Sequence, residues 1–172
     1  TARGQQYRFL QLPASDADEV QLAATLRAAA AGDSTLRIVH VAALDSGATP
    51  SMRSLLRMQH QVLAGTRRLF RAAVAAANAR WPGLPLFAGG KSFGGRMTSQ
   101  AEADAALAGV RGLVFIGFPL HPPKQPGSER GEHLDRVGRP MLFFQGTRDE
   151  LADRALVRAL VDRLGERATL VS

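Results

Sequence analysis

The sequence contains no cysteine among its 172 residues. Disulfide bonds, thiolate zinc sites and a cysteine nucleophile are therefore excluded, and covalent catalysis would have to use serine, threonine or another side chain. The sequence also has no uncharged apolar run of about 18 residues, the length that a membrane-spanning helix needs. Its first residues lack the apolar core of a signal peptide. We therefore expect a soluble, cytoplasmic protein without a membrane partner.

Acidic residues are fewer than basic ones, 15 against 22, which leaves a formal net charge of +7. Proteins that bind nucleic acid usually concentrate such charge on one element, beside aromatic residues. Here the basic residues are nearly all arginine and are spread over the predicted helices, often next to acids. The densest group has the spacing of a solvated helix face and consists of Arg53, Arg57, Arg67, Arg68, Arg71 and Arg80. We expect no nucleic-acid partner.

Short apolar runs bounded by glycine and proline recur along the chain and are typical of strands buried in a parallel sheet. Most are separated by helical segments, and this alternation predicts an α/β fold with a mostly parallel, doubly wound sheet and helices on both faces. The length suits a single domain over residues 1–172. The predicted strands are Tyr7–Leu12, Leu36–Leu44, Leu84–Ala88, Gly112–Phe118, Met141–Gln145 and Ala168–Val171.

Helices are predicted between most of these strands. The first begins at a capping Ser15 and ends near residue 32. The second runs from about Ser51 to Arg80 and should bend or divide near Gly65. A third follows Ser92 and extends to residue 107, and a fourth follows Asp149 and ends near residue 165. The segment 118–127, rich in proline and glycine, is predicted to be an ordered loop at the end of a strand.

Residues 90–94, Gly-Lys-Ser-Phe-Gly, match the pattern G-x-S-x-G between a predicted strand and a predicted helix. In such a nucleophile elbow the serine has strained backbone angles, and flanking glycines, here Gly89, Gly90, Gly94 and Gly95, avoid collisions where strand and helix converge. The turn raises the hydroxyl above the sheet and leaves a backbone N–H at the helix start to stabilise an oxyanion. Ser92 is thus the candidate nucleophile, Phe93 the oxyanion donor, and Gly90 and Gly94 the elbow glycines.

This segment has two other interpretations. A glycine-rich turn can contain a serine by chance. The residues Gly90-Lys91-Ser92 also resemble the end of a phosphate-binding loop, G-x-x-x-x-G-K-S, but Pro85 occupies the position of its first glycine. A predicted strand stands where that loop should be. We expect no nucleotide, no other cofactor and no metal.

Asp149 follows the predicted strand Met141–Gln145, which puts it at the same carboxyl edge of the sheet as Ser92. A serine triad needs a carboxylate to orient its base, and in this type of fold the order is serine, acid, histidine. A helix begins nearby, so Asp149 is alternatively a helix N-cap. Asp153, one turn further on, is a weaker candidate for the acid.

Three segments in order, Leu86–Met97, Gly112–Pro123 and Met141–Asp149, resemble a branch of the α/β-hydrolases. This branch is similar to dienelactone hydrolases and includes bacterial hydrolase-like proteins and a subunit of an animal histone-acetyltransferase complex. The resemblance covers roughly residues 84–170. It implies an esterase-like serine hydrolase in which Ser92 is the nucleophile and Asp149 the acid, with a small-molecule ester or acyl substrate.

The sequence departs from this resemblance in two places. The family's histidine is expected after the last strand, but no histidine follows Asp149, and Leu12-Pro13 stands where an oxyanion loop would be. One hypothesis is an esterase whose histidine lies beyond these residues. The other is a catalytically inactive, hydrolase-like module that binds a protein partner. His121 is expected either to line the substrate pocket or to make loop hydrogen bonds.

Overall fold

The structure is a computed structural model that describes residues 19–30 and 52–172. The predicted strands Tyr7–Leu12 and Leu36–Leu44 and the predicted cap Ser15 lie outside the described residues. The chain divides into two compact units, Thr1–Ala76 and Ala77–Ser172. The expectation of one domain for the whole chain stays a prediction.

In the first unit, helix α1 spans Glu19–Ala30 and helix α2 spans Met52–Arg80, its last residues belonging to the second unit. Helix α2 is continuous through Gly65, so a division into two pieces is wrong. Buried Leu22 and Leu26 of α1 share one apolar cluster with Ala72 of α2. This contact accounts for the alanine-rich faces of both helices, because small side chains let two helices approach closely. None of the described helices is both long and apolar enough to cross a membrane.

The second unit contains a four-stranded sheet whose neighbouring strands are consecutive in the chain and all parallel. Parallel neighbours require crossover connections, which here are mostly helical. The strands are β1 (Leu86–Lys91), β2 (Val110–Ile116), β3 (Met141–Phe144) and β4 (Ala168–Val171), and the connections carry α3 (Phe93–Asp104), a 3₁₀ helix η1 (Glu129–Arg136) and α4 (Arg154–Leu164). The predicted α/β class with a parallel sheet is confirmed, and helix η1 was not predicted.

Strand β1 differs most from its prediction, because it continues through two glycines that the sequence suggests as a turn. A Cβ atom on Gly89 would overlap the carbonyl oxygen of Val114, its partner in β2. Glycine therefore allows the close approach of two strands at this position. The extension carries the strand up to Lys91, so that Ser92 follows it directly.

One face of the sheet forms the core of the second unit. Leu113 and Phe115 of β2 and Met141 and Phe143 of β3 are buried, while the alternate residues at the strand ends are exposed. The rings of Phe115 and Phe143 lie 4.8 Å apart, and Phe118 packs edge-on against both. The contact of Phe115 and Phe143 extends the core to the residues just before the exposed ends of β2 and β3, and these ends hold the candidate site.

Candidate active site at the carboxyl edge of the sheet

Ser92 occupies the turn between β1 and α3 with φ 49° and ψ −120°. This combination lies outside the regions that non-glycine residues ordinarily adopt and costs roughly 1–3 kcal/mol. The Ser92 N–H donates to the carbonyl oxygen of Ile116, the last residue of β2, at 2.9 Å. The strained backbone expected of a nucleophile elbow is present, and it stands at the carboxyl end of a parallel strand.

The glycines around Ser92 do not contribute equally. A Cβ on Gly90 would meet the backbone of residues 94 and 95 at 3.1–3.2 Å, and one on Gly95 would lie 2.7 Å from the carbonyl oxygen of Gly90. A Cβ on Gly94 would meet nothing within 4 Å. The predicted steric role is therefore correct for Gly90 and wrong for Gly94, since Gly94 faces open space. Gly95, on the side of α3 toward the sheet, makes the close approach.

Asp149 lies beyond the end of β3 and is held from two sides. Its Oδ1 accepts the N–H of Leu151 at 2.9 Å, and its Oδ2 accepts the side-chain amide of Gln145 at 2.6 Å. A Cβ built on Gly117, which follows β2, would lie 3.4 Å from Oδ2. Because Ser92 bonds to the residue before Gly117, the serine and the carboxylate flank the end of the same strand.

The alternative role of Asp149 as a helix cap is wrong. Helix α4 begins at Arg154, and the carboxylate of Asp153 caps it by accepting the N–H groups of Ala155 and Leu156 at 2.9 and 3.2 Å. An aspartate at this position satisfies backbone donors that have no partner within the helix. Asp153 is thus committed to the helix, which removes it as a second candidate for the acid.

Gln145 is a site residue that the sequence analysis missed. Its buried side chain donates to Asp149 Oδ2, and its Oε1 accepts the N–H of Phe118 at 2.9 Å. One amide therefore links the end of β3, the loop after β2 and the candidate acid. The spacing of four residues from Asp149 is visible in the sequence, but the bond to residue 118 appears only when β2 and β3 are paired.

An open groove of about 440 Å³ runs along the carboxyl ends of all four strands. The groove is shallow and wide open to solvent, and its position is where open α/β sheets bind ligands. The walls combine exposed apolar side chains with a lysine and a glutamine, and consist of Lys91, Ile116, Gly117, Phe144, Gln145, Gly146, Val171 and Ser172. The groove thus begins at the residue before Ser92 and passes over the residues that hold Asp149.

The chain matches a known protein family over the residues that form this site. Residues 56–171 match the family model of the α/β hydrolase domain, about two thirds of the chain. The chain belongs to the α/β hydrolase domain family. No solved structure matches it. The resemblance is thereby confirmed for the family, and the narrower likeness to dienelactone hydrolases stays a prediction.

Both ring nitrogens of His121 in this hydrolase domain are engaged by the backbone. Nδ1 lies 2.9 Å from the carbonyl oxygen of Pro122, and Nε2 accepts the N–H of Asp153 at 3.0 Å. The pair of bonds fixes the neutral tautomer with its proton on Nδ1. His121 is buried and joins its loop to the start of α4, which is the second of its two expected roles. Its substrate-binding role stays a prediction.

His133 of η1 is also buried, with Nε2 2.8 Å from the hydroxyl of Ser99 on α3. Burial, and then the neighbouring Arg96 and Arg136, lower the pKa of His133 to about 4. Although this is a serine paired with a histidine, Ser99 is fully buried. The pair therefore joins α3 to η1 inside the hydrolase domain.

Proposed function

We propose that this α/β hydrolase domain is a serine hydrolase acting on small esters or related acyl compounds, with Ser92 as the nucleophile and Asp149 as the carboxylate that orients the base. The observation that carries the proposal is the backbone of Ser92, at φ 49° and ψ −120° between a strand and a helix. Strain of this kind persists where the surrounding structure enforces it, which is characteristic of functional sites. Glycine would adopt these backbone angles without strain, so the presence of serine in this turn favours a role for its hydroxyl.

The first step transfers the acyl group to Ser92. The base takes the hydroxyl proton while the oxygen attacks the carbonyl carbon, and the alcohol leaves with that proton after the tetrahedral intermediate collapses. The N–H of Phe93 opens α3, where the helix offers it no acceptor of its own, so it supplies one donor for the oxyanion. Water then hydrolyses the acyl-enzyme by the same steps in the second half of the reaction.

The base in this proposal is an imidazole held between Ser92 and Asp149. No histidine follows Asp149 in the sequence, and both ring nitrogens of His121 are engaged. A histidine from outside these residues would complete the triad. The apolar walls of the groove beside Lys91 favour an uncharged acyl chain.

Free imidazole tests this proposal directly, because it can stand in for a missing histidine. The 172-residue protein should hydrolyse a short p-nitrophenyl ester little faster than its Ser92→Ala variant. The hydrolysis rate of the wild type, minus the rate of Ser92→Ala in the same buffer, should rise with imidazole concentration and then saturate. Asp149→Asn should abolish most of the gain, because the amide no longer orients the ring or stabilises its charge.

Glu150→Gln is the matched control, since it removes an exposed carboxylate next to Asp149 and should leave the rescued rate unchanged. A serine-reactive phosphonate provides a second measurement, because imidazole should accelerate labelling at Ser92. If imidazole raises neither the hydrolysis rate nor the phosphonate labelling above the level of Ser92→Ala, the hydrolase proposal is rejected. That result would favour a hydrolase-like module that binds a protein partner.

A further inference from the structure

The side chain of Gln145 lies between two groups that require opposite ends of an amide. The backbone N–H of Phe118 can only donate, so the atom that faces it at 2.9 Å is Oε1. Nε2 is thereby directed at Oδ2 of Asp149, to which it donates at 2.6 Å. Gln145 is buried, so water competes little for either bond. The backbone of the loop after β2 therefore sets the orientation of the amide, and the amide in turn contacts the candidate acid.

The Asp149 carboxylate is held at both of its oxygens. Oδ1 accepts the N–H of Leu151 at 2.9 Å, which is the local bond of an aspartate to the backbone two residues further on. This bond alone leaves the carboxylate free to rotate about its last torsion, which is broad for aspartate. The bond from Gln145 to Oδ2 adds a second fixed point and so sets the plane of the carboxylate. Both oxygens keep lone pairs that can accept the ring N–H of a base.

The backbone of the loop that carries Asp149 is fastened separately, by His121. The N–H of His121 donates to the carbonyl oxygen of Leu151 at 3.0 Å, and its Nε2 accepts the N–H of Asp153 at 3.0 Å. Both bonds fix the position of the loop without involving the carboxylate. Loss of the Gln145 amide should therefore release the carboxylate while the loop stays in place.

We propose that Gln145 is a positioning residue, which holds the Asp149 carboxylate in the orientation that the base of the hydrolase requires. The inference rests on the proposed function, in which this carboxylate orients an imidazole beside Ser92. An amide meets both demands of the position, because it accepts from Phe118 with one end and donates to Asp149 with the other. A carboxylate in its place would repel Asp149, and an apolar side chain would leave the N–H of Phe118 without its acceptor.

Amide hydrogen exchange measured by NMR tests this role without any turnover. In Gln145→Met, which keeps the length of the side chain but has no donor, the N–H of Leu151 should exchange at least about tenfold faster. The reason is that its acceptor, Oδ1 of Asp149, is no longer held. The N–H of Asp153, bonded to His121 in the same loop, should keep its wild-type rate. Gln125→Met is the matched control, because Gln125 is exposed in the loop after β2.

Gln145→Glu should give a pH profile that a purely structural role would not produce. The introduced carboxyl group and Asp149 would share one proton until the pH exceeds the higher pKa of the pair. While the proton is shared, the introduced group still donates to Asp149, and above that pH the two charges repel each other. Imidazole-assisted turnover of a short p-nitrophenyl ester, divided by that of the wild type at equal neutral imidazole, should therefore fall about tenfold between about pH 5.5 and about pH 9.

Two features of the comparison isolate the pair of carboxyl groups. Arg148 and Glu150, the charged residues on either side of Asp149, are exposed and present in both proteins, so their effects cancel in the ratio. Gln125→Glu, which adds the same charge at an exposed position, should keep a ratio that does not change with pH.

Exchange and turnover together separate the role of Gln145 from the hydrolase itself. Faster exchange at Leu151 without any Ser92-dependent turnover supports Gln145 as the residue that holds the carboxylate and rejects the hydrolysis only. Unchanged exchange at Leu151 in Gln145→Met, or a turnover ratio of Gln145→Glu that is constant with pH, overturns the positioning role and leaves the hydrolase in place. If Gln145→Met does not fold by circular dichroism, exchange at Leu151 in Gln145→Glu, relative to the wild type at low and high pH, decides instead.

Discussion

Lowering the pH should destabilise this protein through His133. Its ring is buried, within hydrogen-bond distance of Ser99 and beside the ring of Phe118. Burial is the largest cause of its lowered pKa, the charges of Arg96 and Arg136 follow, and Asp104 and a backbone hydrogen bond with Arg130 offset part of the effect. At neutral pH the folded protein therefore holds a neutral imidazole in a place that disfavours a charged one.

The size of the effect follows from the difference between the folded and unfolded pKa values. The pKa falls from 6.5 to about 4 on folding. At roughly 1.36 kcal/mol for each pKa unit, this difference amounts to about 3 kcal/mol. Between these pH values the unfolded chain binds a proton that the folded protein does not. Stability is therefore fully retained above pH 6.5 and is lost as the pH falls toward 4.

Urea unfolding followed by circular dichroism, from pH 7.5 down to pH 4, measures this loss. His133→Gln serves as the reference, because glutamine keeps a polar group near Ser99 and does not titrate. The free energy of unfolding of the wild type relative to this variant should decrease by about 3 kcal/mol across the window. Comparing the two proteins removes the contribution of the carboxylates. A difference that stays constant from pH 7.5 to pH 4 would refute the reasoning.

Two further predictions concern the elbow. Ser92→Gly should be more stable than Ser92→Ala by about 1–2 kcal/mol in urea unfolding. Glycine relieves the strain at φ 49°, at some cost in chain entropy. Equal stabilities of the two variants would mean that the turn is not strained. Gly95→Ala should lower the melting temperature or prevent folding, since its Cβ would lie 2.7 Å from the carbonyl oxygen of Gly90. Gly94→Ala, which faces open space, is its matched control, and equal losses in the two variants would contradict the assigned packing of α3 on β1.

Two features of the candidate site depend on contacts between residues and correspond to no sequence motif. Gln145 gives no motif, yet its amide bonds to both Phe118 and Asp149. Asp153 ranks below Asp149 as the acid by position alone, and the structure separates them by giving Asp153 the cap of α4. Both results require knowing which backbone N–H groups need a partner, and that depends on where each helix and strand ends.

The sequence alone determined the features that depend on neighbouring residues. The alternation of apolar runs with helical segments predicts a parallel α/β sheet, and the bounds of Ala168–Val171 agree with β4. The spacing of G-x-S-x-G places Ser92 in the turn before α3, since periodicity and turn chemistry act over a few residues.

Tertiary structure decided the features that depend on distant residues. Gly89 belongs inside β1 because Val114 lies against it, and Gly95 rather than Gly94 makes the close approach because only one side of α3 faces the sheet. Likewise, His133 is neutral because α3 brings Ser99 and Arg96 to η1. Strand register and helix packing create these contacts between residues far apart in the chain, so no local pattern encodes them.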